Sequence, residues 1–144
     1  MNEVVGDLWE HHPQNWVVIT TNGFRKGSGE AVMGRGVALQ AARRYPHLPL
    51  ALGSRIKTEG NHVHTFPEWK LISFPVKHNW WEMADINLIK NSVEELLELA
   101  NYGEIACVYM PRPGCGNGGL KWDRVKPLLA PLDHRFTIVE KYQV

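Results

Sequence analysis

The stretch Gly23-Phe24-Arg25-Lys26-Gly27-Ser28-Gly29-Glu30-Ala31-Val32-Met33-Gly34-Arg35-Gly36 separates two segments of opposite character. Before it, Trp16 to Thr21 is a continuous apolar and β-branched run, the pattern of a strand buried on both faces. After it, Val37 to Tyr45 reads as a short helix that Pro46 stops. Strand, glycine-rich turn and helix in that order form one unit of a mainly parallel sheet. Glycines let the backbone approach an anion closely, and the first amides of a helix add unsatisfied donors and a partial positive charge. A phosphate or diphosphate suits such a turn. It is not the G-x-x-x-x-G-K-[ST] loop of nucleotide triphosphatases, because no Lys-Ser/Thr follows at the required place.

The rest of the chain repeats the alternation. Lys70 to Phe74 predicts a second buried strand. From Asp85 to Tyr102 the residues Ile86, Ile89, Val93, Leu96, Leu97 and Ala100 fall on one helical face, with Asp85 as N-cap and Gly103 as stop. Ile105 to Met110 predicts a third strand, and the loop Pro111 to Leu120 follows it. A helix from Trp122 to Leu129 and a strand from Phe136 to Val139 complete the pattern. The expected class is α/β, with helices on both faces of the sheet and ligands at the carboxyl ends of the strands. The second glycine loop, Gly114-Cys115-Gly116-Asn117-Gly118-Gly119, also stands between a buried strand and a helix. One such loop is readily a mere turn; two in equivalent places favour a binding site.

Composition bounds the function. At 144 residues the chain predicts one domain, 1–144, with no repeat or low-complexity tract. The hydrophobic share of 44% and charged share of 22% are those of an ordinary globular protein. A net charge of +1 gives no bulk field for holding long nucleic acid nonspecifically. No apolar run reaches the roughly 18 residues of a membrane helix, and Met1-Asn2-Glu3 does not open a signal peptide. Cys107 and Cys115 are expected as free thiols in a reducing compartment. A cytoplasmic monomer without a cofactor is the expectation.

Gly6-Asp7-Leu8 beside an N-terminal strand, Thr21-Asn22-Gly23, Val32-Met33-Gly34-Arg35-Gly36-Val37-Ala38-Leu39-Gln40, and Gly114-Cys115-Gly116-Asn117-Gly118-Gly119-Leu120 together resemble the macrodomain family. Arg44-Tyr45-Pro46 and Phe74-Pro75-Val76-Lys77 narrow the likeness to the branch holding the terminal ADP-ribose protein glycohydrolases and the antitoxins that remove ADP-ribose from DNA bases. The resemblance implies a three-layer α/β/α fold with a mixed, mainly parallel central sheet. It also implies binding of ADP-ribose, or of an ADP-ribosylated macromolecule (DNA or protein), and hydrolysis at the distal ribose. An ADP-ribose 1″-phosphate phosphatase and a reader without turnover are the alternatives.

By that resemblance Asp7 accepts a hydrogen bond from the adenine amine, with the Leu8 backbone nearby; a turn or cap role is the alternative. Thr21 and Asn22 lie by the distal ribose, although asparagine also caps strand ends. Met33, Gly34, Gly36 and Val37 flank the diphosphate from one side. Gly114, Cys115, Gly116, Asn117, Gly118, Gly119 and Leu120 wrap it from the other. Lys77 is the implied catalytic residue, a nucleophile or base at the anomeric carbon, after Pro75 has ended the regular ladder.

The chain departs from the protein glycohydrolases, which carry an acidic residue in the second loop where this sequence has Asn117-Gly118-Gly119. Glu30 is a candidate substitute. Its loop is longer than the family pattern, and Arg25 and Lys26 in that insertion are expected at a solvated tip, with phosphate or nucleic acid as the alternative partner. His62-Val63-His64 with His11-His12 makes a weak case for zinc, so no metal is expected. Trp80-Trp81 is expected to close the core beneath a loop, with base stacking as the alternative. Tyr142 stacks on adenine or belongs to a loose terminus.

Overall fold

The computed structural model describes residues 1–141, so Tyr142 lies outside the described residues. Six strands form one sheet: β1 (Asn2–Gly6), β2 (Trp16–Asn22), β3 (His64–Phe66), β4 (Leu71–Lys77), β5 (Val108–Met110) and β6 (Phe136–Lys141), in the order β1-β6-β5-β2-β4-β3. All neighbours are parallel except the edge strand β3, which runs antiparallel to β4. The sheet is therefore mixed and mainly parallel.

Side chains alternate across a strand, and β2 divides its apolar residues accordingly. Val18 joins Ile72, Phe74, Met110, Phe136 and Ile138 beneath helix α3 (Ile86–Tyr102) and the segment containing α4 (Trp122–Val125). Val17 and Ile19 face the other way, toward α1 (Gly36–Arg44) and α2 (Leu48–Glu59). Two cores on opposite faces of one sheet make three layers. Because five strands are parallel, Gly6, Asn22, Lys77, Met110 and Lys141 all end at the same edge.

The clean periodicity of α3 folds as its pattern predicts. Asp85 is its N-cap, with Oδ1 accepting from the Asn87 and Leu88 amides at 2.8 and 3.4 Å. Other expectations need correction. Pro46 ends α1, but α2 follows directly, because Pro49 lies in the first turn, where its missing N–H costs nothing. β4 does not stop before Pro75. It continues to Lys77, with Thr21 facing Pro75 and Asn22 facing Lys77, so Val76 is the extra residue of a bulge. β5 is limited to Val108–Met110, while Ile105 returns its amide to Ala100 O at 3.0 Å.

The long first loop is braced. Ala31 N donates to Pro49 O at 2.8 Å. On α2, a Cβ at Gly53 would overlap the carbonyl oxygen of Gly29 and stand 3.0 Å from Ala31 N. Only glycine lets the helix lie this close to the loop.

Candidate functional site

Three loops leave the common strand edge side by side: residues 23–35 after β2, 78–85 after β4 and 111–121 after β5. The first leads into α1, whose N-cap Arg35 makes no side-chain cap bond. The amides of Gly36, Val37 and Ala38 donate to no other group among the described residues. Gly36 takes φ +58°, a left-handed backbone that other residues resist. The exposed residues Gly34, Arg35 and Gly36 form the open side of this turn.

In the loop after β5, Leu120 N returns to Gly114 O at 2.9 Å and Gly119 N to Gly116 O at 3.1 Å. These two bonds leave the amides of Gly116, Asn117 and Gly118 without a partner among the described residues. Gly118 has no room for a side chain: a Cβ would run into Gly114 O and stand 2.8 Å from Ala84 Cβ. A Cβ on Gly116 or Gly34 would meet nothing within 4 Å. The loops face one another, since a Cβ on Gly36 would lie 3.1 Å from Asn117 Nδ2. Two rows of unpaired N–H groups across one gap form a concavity suited to an anion.

Lys77 closes the third side. Its half-exposed ammonium donates to Asn117 O at 3.2 Å and to Trp80 O at 3.4 Å. The chain end it stands on is pinned by Asn61 Nδ2, which donates to Lys77 O at 3.1 Å, and by Gly23 N, which donates to His78 O at 3.1 Å. Asn22 holds the first loop in shape: Oδ1 accepts from Phe24 N at 2.9 Å and Nδ2 donates to Val32 O at 3.0 Å. One of its two amide hydrogens has no acceptor among the described residues. Asp7 is exposed and caps the turn Leu8–His11, accepting from Trp9 N at 3.0 Å through Oδ1, while Oδ2 has no protein partner among the described residues. Trp9 Nε1 donates to Gln40 Oε1 at 2.7 Å, which ties the Asp7 turn to α1.

The expected residues thus divide. Gly34, Gly36, Val37, Gly116, Asn117 and Lys77 converge on the gap. Leu8, Thr21, Met33 and Leu120 are buried, so their side chains serve packing and only backbone is available at the site. Gly114 and Gly118 set the loop's shape, and Gly119 closes it. Cys115 donates weakly to Pro113 O at 3.5 Å, and burial pushes its thiol above the usual range, away from a thiolate. Glu30 is engaged within the loop tip, with Oε1 accepting from Ser28 Oγ at 3.2 Å. Lys26 is exposed, as a solvated tip requires, but Arg25 is not: its Nε is enclosed without a partner among the described residues.

A further expectation changes. Trp80 and Trp81 do not close the core; they are 52% and 58% exposed. His11 stacks on Tyr109 at 3.8 Å and His12 Nε2 meets Trp69 O at 2.7 Å, whereas His64 sits buried against Gly60 O and Glu59. No group of three metal-ligating side chains occurs among the described residues. No described helix is long and apolar enough to cross a membrane. Sequence reasoning missed the Ala38 amide, Phe24 and Met83. The only signal for Met83 was its place in Trp80-Trp81-Glu82-Met83, and Phe24, alone between Gly23 and Arg25, carried none.

The family model described as Macro domain matches residues 28–129, well over half of the chain. The chain belongs to the Macro domain family. Among curated relatives, the DNA ADP-ribosyl glycohydrolase of Mycobacterium tuberculosis is 30% identical over 109 residues, covering 68% of this chain and 30% of that protein. The DNA ADP-ribosyl transferase-DNA ADP-ribosyl glycohydrolase fusion protein of Thermosipho africanus is 36% identical over 61 residues, covering 42% of this chain and 16% of that one. The chain thus spans less than a third of the length of these relatives. Of solved structures, the macrodomain of Mycobacterium tuberculosis DarG superposes with a TM-score of 0.78 at 26% identity, covering 99% of this chain and 97% of that one. Thermosipho africanus DarTG in complex with ADP-ribose gives a TM-score of 0.76 at 21% identity, covering 96% and 41%, and bears on the fold alone.

Proposed function

We propose that this chain binds ADP-ribose across the gap between the two glycine loops and hydrolyses an ADP-ribosyl linkage at the distal ribose. The observation that carries this reading is the facing pair of unpaired amide rows, Gly36-Val37-Ala38 and Gly116-Asn117-Gly118. A diphosphate has the acceptor oxygens both rows lack, and a helix N-terminus favours its charge. Asp7, whose Oδ2 is open, takes the adenine amine at one end. Lys77 and Asn22 take the distal ribose at the other. The relatives named as DNA ADP-ribosyl glycohydrolases support the same reaction class.

In the reaction the bond between the ribose C1″ and its substituent breaks, water oxygen bonds to C1″, and the departing group takes a proton from that water. Lys77 acts at this end, either by orienting that water or by bonding to C1″ as the substituent departs, a bond the water then hydrolyses to free the lysine amine. Calorimetry with ADP-ribose, beside adenosine as a control without diphosphate, tests the binding half; no heat at millimolar ADP-ribose overturns it. Offering ADP-ribosylated DNA, ADP-ribosylated protein, O-acetyl-ADP-ribose and ADP-ribose 1″-phosphate in parallel tests the chemistry. One observation favours a reader without turnover: Lys77 Nζ already donates to two carbonyls. Binding without release from any of the four substrates decides for it.

A further inference from the structure

The segment after β4 presents three large apolar side chains to solvent within four residues: Trp80 and Trp81, both about half-exposed, and Met83 at 67%. Elsewhere among the described residues the exposed large apolar side chains are scattered, apart from the Val4-Val5 pair on β1. A cluster of this kind beside a cleft marks a binding surface more often than isolated exposure does. Its connections lead to the reacting end of the site. The Trp80 carbonyl accepts from Lys77 Nζ. Trp81 meets Phe24 of the first loop edge-to-face, with ring centroids 5.4 Å apart, and Trp80 in the same manner at 5.5 Å. Met83 Cε would be 3.4 Å from a Cβ on Gly119 of the second loop. Below, the segment is held rigid by Asn79 N donating to Glu82 Oε1 at 2.8 Å, His78 Nε2 at 2.9 Å from Asp85 Oδ2, and Ala84 N donating to Gly118 O at 3.0 Å.

We infer that Trp80 and Trp81 form a shelf for a nucleobase carried on the distal ribose, one ring stacking on the base and the other, at 89° to it, bounding its edge, so that the substituent at C1″ is recognised by its flat aromatic face. This rests on the reading of the gap as an ADP-ribose site. The Trp80 backbone meets Lys77 at the reacting end, which puts both side chains in the segment that borders a substituent on C1″. Stacking on tryptophan accepts any base and requires no charge, and the net charge of +1 provides little general attraction for a polynucleotide. Specificity then comes from one base at the reacting end, held on a rigid rim.

Stopped-flow tryptophan fluorescence, which reads binding ahead of turnover, provides the test on three ligands: free ADP-ribose, a short single-stranded oligonucleotide ADP-ribosylated on a base, and a peptide ADP-ribosylated on arginine. The wild type is expected to bind the oligonucleotide about tenfold or more tighter than free ADP-ribose, the modest end of what one stacked base gives. Trp80→Ala and Trp81→Ala are expected to abolish that advantage and leave ADP-ribose affinity unchanged, while Trp81→Phe keeps part of it. Both side chains are half-exposed, so the variants are expected to fold, and a thermal melt verifies it. An equal gain for the arginine peptide, whose guanidinium also stacks, overturns the assignment to a base. An oligonucleotide advantage that survives both alanine variants overturns the shelf. In either case the ADP-ribose site stands. If free ADP-ribose does not bind at all, the reading of the gap fails, and the shelf falls with it.

Discussion

Lys77 and Asn117, forty positions apart in the chain, meet where the lysine ammonium donates to the asparagine backbone carbonyl at 3.2 Å. This bond ties the end of β4 to the second glycine loop and fixes the width of the gap that separates both from α1. Lys77 therefore has a structural task beside its proposed chemical one, and experiments must tell the two apart.

Lys77→Ala is expected to lose single-turnover cleavage while keeping ADP-ribose affinity within about tenfold, because a group acting at the anomeric carbon contributes mainly in the transition state. Lys77→Arg separates the roles. A guanidinium reaches and binds the Asn117 carbonyl, yet it does not deprotonate. Restored turnover in the arginine variant makes Lys77 a brace and moves the chemistry elsewhere.

Asp7 uses Oδ1 for its own turn and leaves Oδ2 open. Asp7→Asn keeps the cap and offers an amide where adenine needs an acceptor. Its melting temperature should match the wild type, while ADP-ribose binds roughly tenfold more weakly, the scale of one hydrogen bond to a charged group. Asp7→Ala should lose both. Unchanged affinity in a folded Asp7→Asn would leave Asp7 as a cap and nothing more.

The second glycine loop offers a contrast between neighbours. Gly118 is enclosed by Gly114 O and Ala84, so Gly118→Ala should distort the loop and lower stability. Gly116 has open space around it, so Gly116→Glu should fold normally. Its carboxylate meets the like charge of a diphosphate, and calorimetry should show binding reduced by at least about tenfold. Full affinity in folded Gly116→Glu would remove the diphosphate from this loop.

His64, buried beneath the contacts of β3 with α2, gives a pH dependence. Burial pushes its imidazole below the ordinary histidine range, and Arg55 at 3.4 Å opposes protonation further, outweighing Gly60 O and Glu59, which favour it. Below about pH 6.5 the unfolded chain takes up a proton that the folded chain resists. Stability from this source is complete above that value and falls as pH drops. Urea midpoints at pH 7.5 and 5 should differ less in His64→Gln than in the wild type. An equal acid loss in both removes His64 from the account.

How much the sequence discloses depends on where the controlling contact lies. β2 is legible because its apolar run is continuous, and α3 because its apolar face is periodic and Asp85 caps it. Both glycine loops are legible because each follows a buried run. Helix α2 is not, because Pro46 reads as a stop and no pattern in the sequence marks Pro49 as the first turn of a new helix. Trp80 and Trp81 are misplaced by the same logic, since large aromatic residues belong inside unless something at the surface needs them. Residue types pick out Lys77 and Asn117, but the contact between them depends on the parallel order of β2, β4 and β5, which no local pattern encodes. The role of Asn22 is half visible: its place at the strand end is clear, and its grip on Phe24 and Val32 is not.

The missing side chain at Gly53 has a consequence for thermodynamics. Because α2 lies directly against Gly29 and Ala31, the tip of the long first loop is immobilised before any ligand arrives. Fixing one backbone residue costs about 1–2 kcal/mol, and here that entropy is spent during folding rather than during association. The helix thereby strengthens binding without contributing to the gap. A larger residue at position 53 would weaken affinity by loosening a loop while every ligand-facing group remained unchanged.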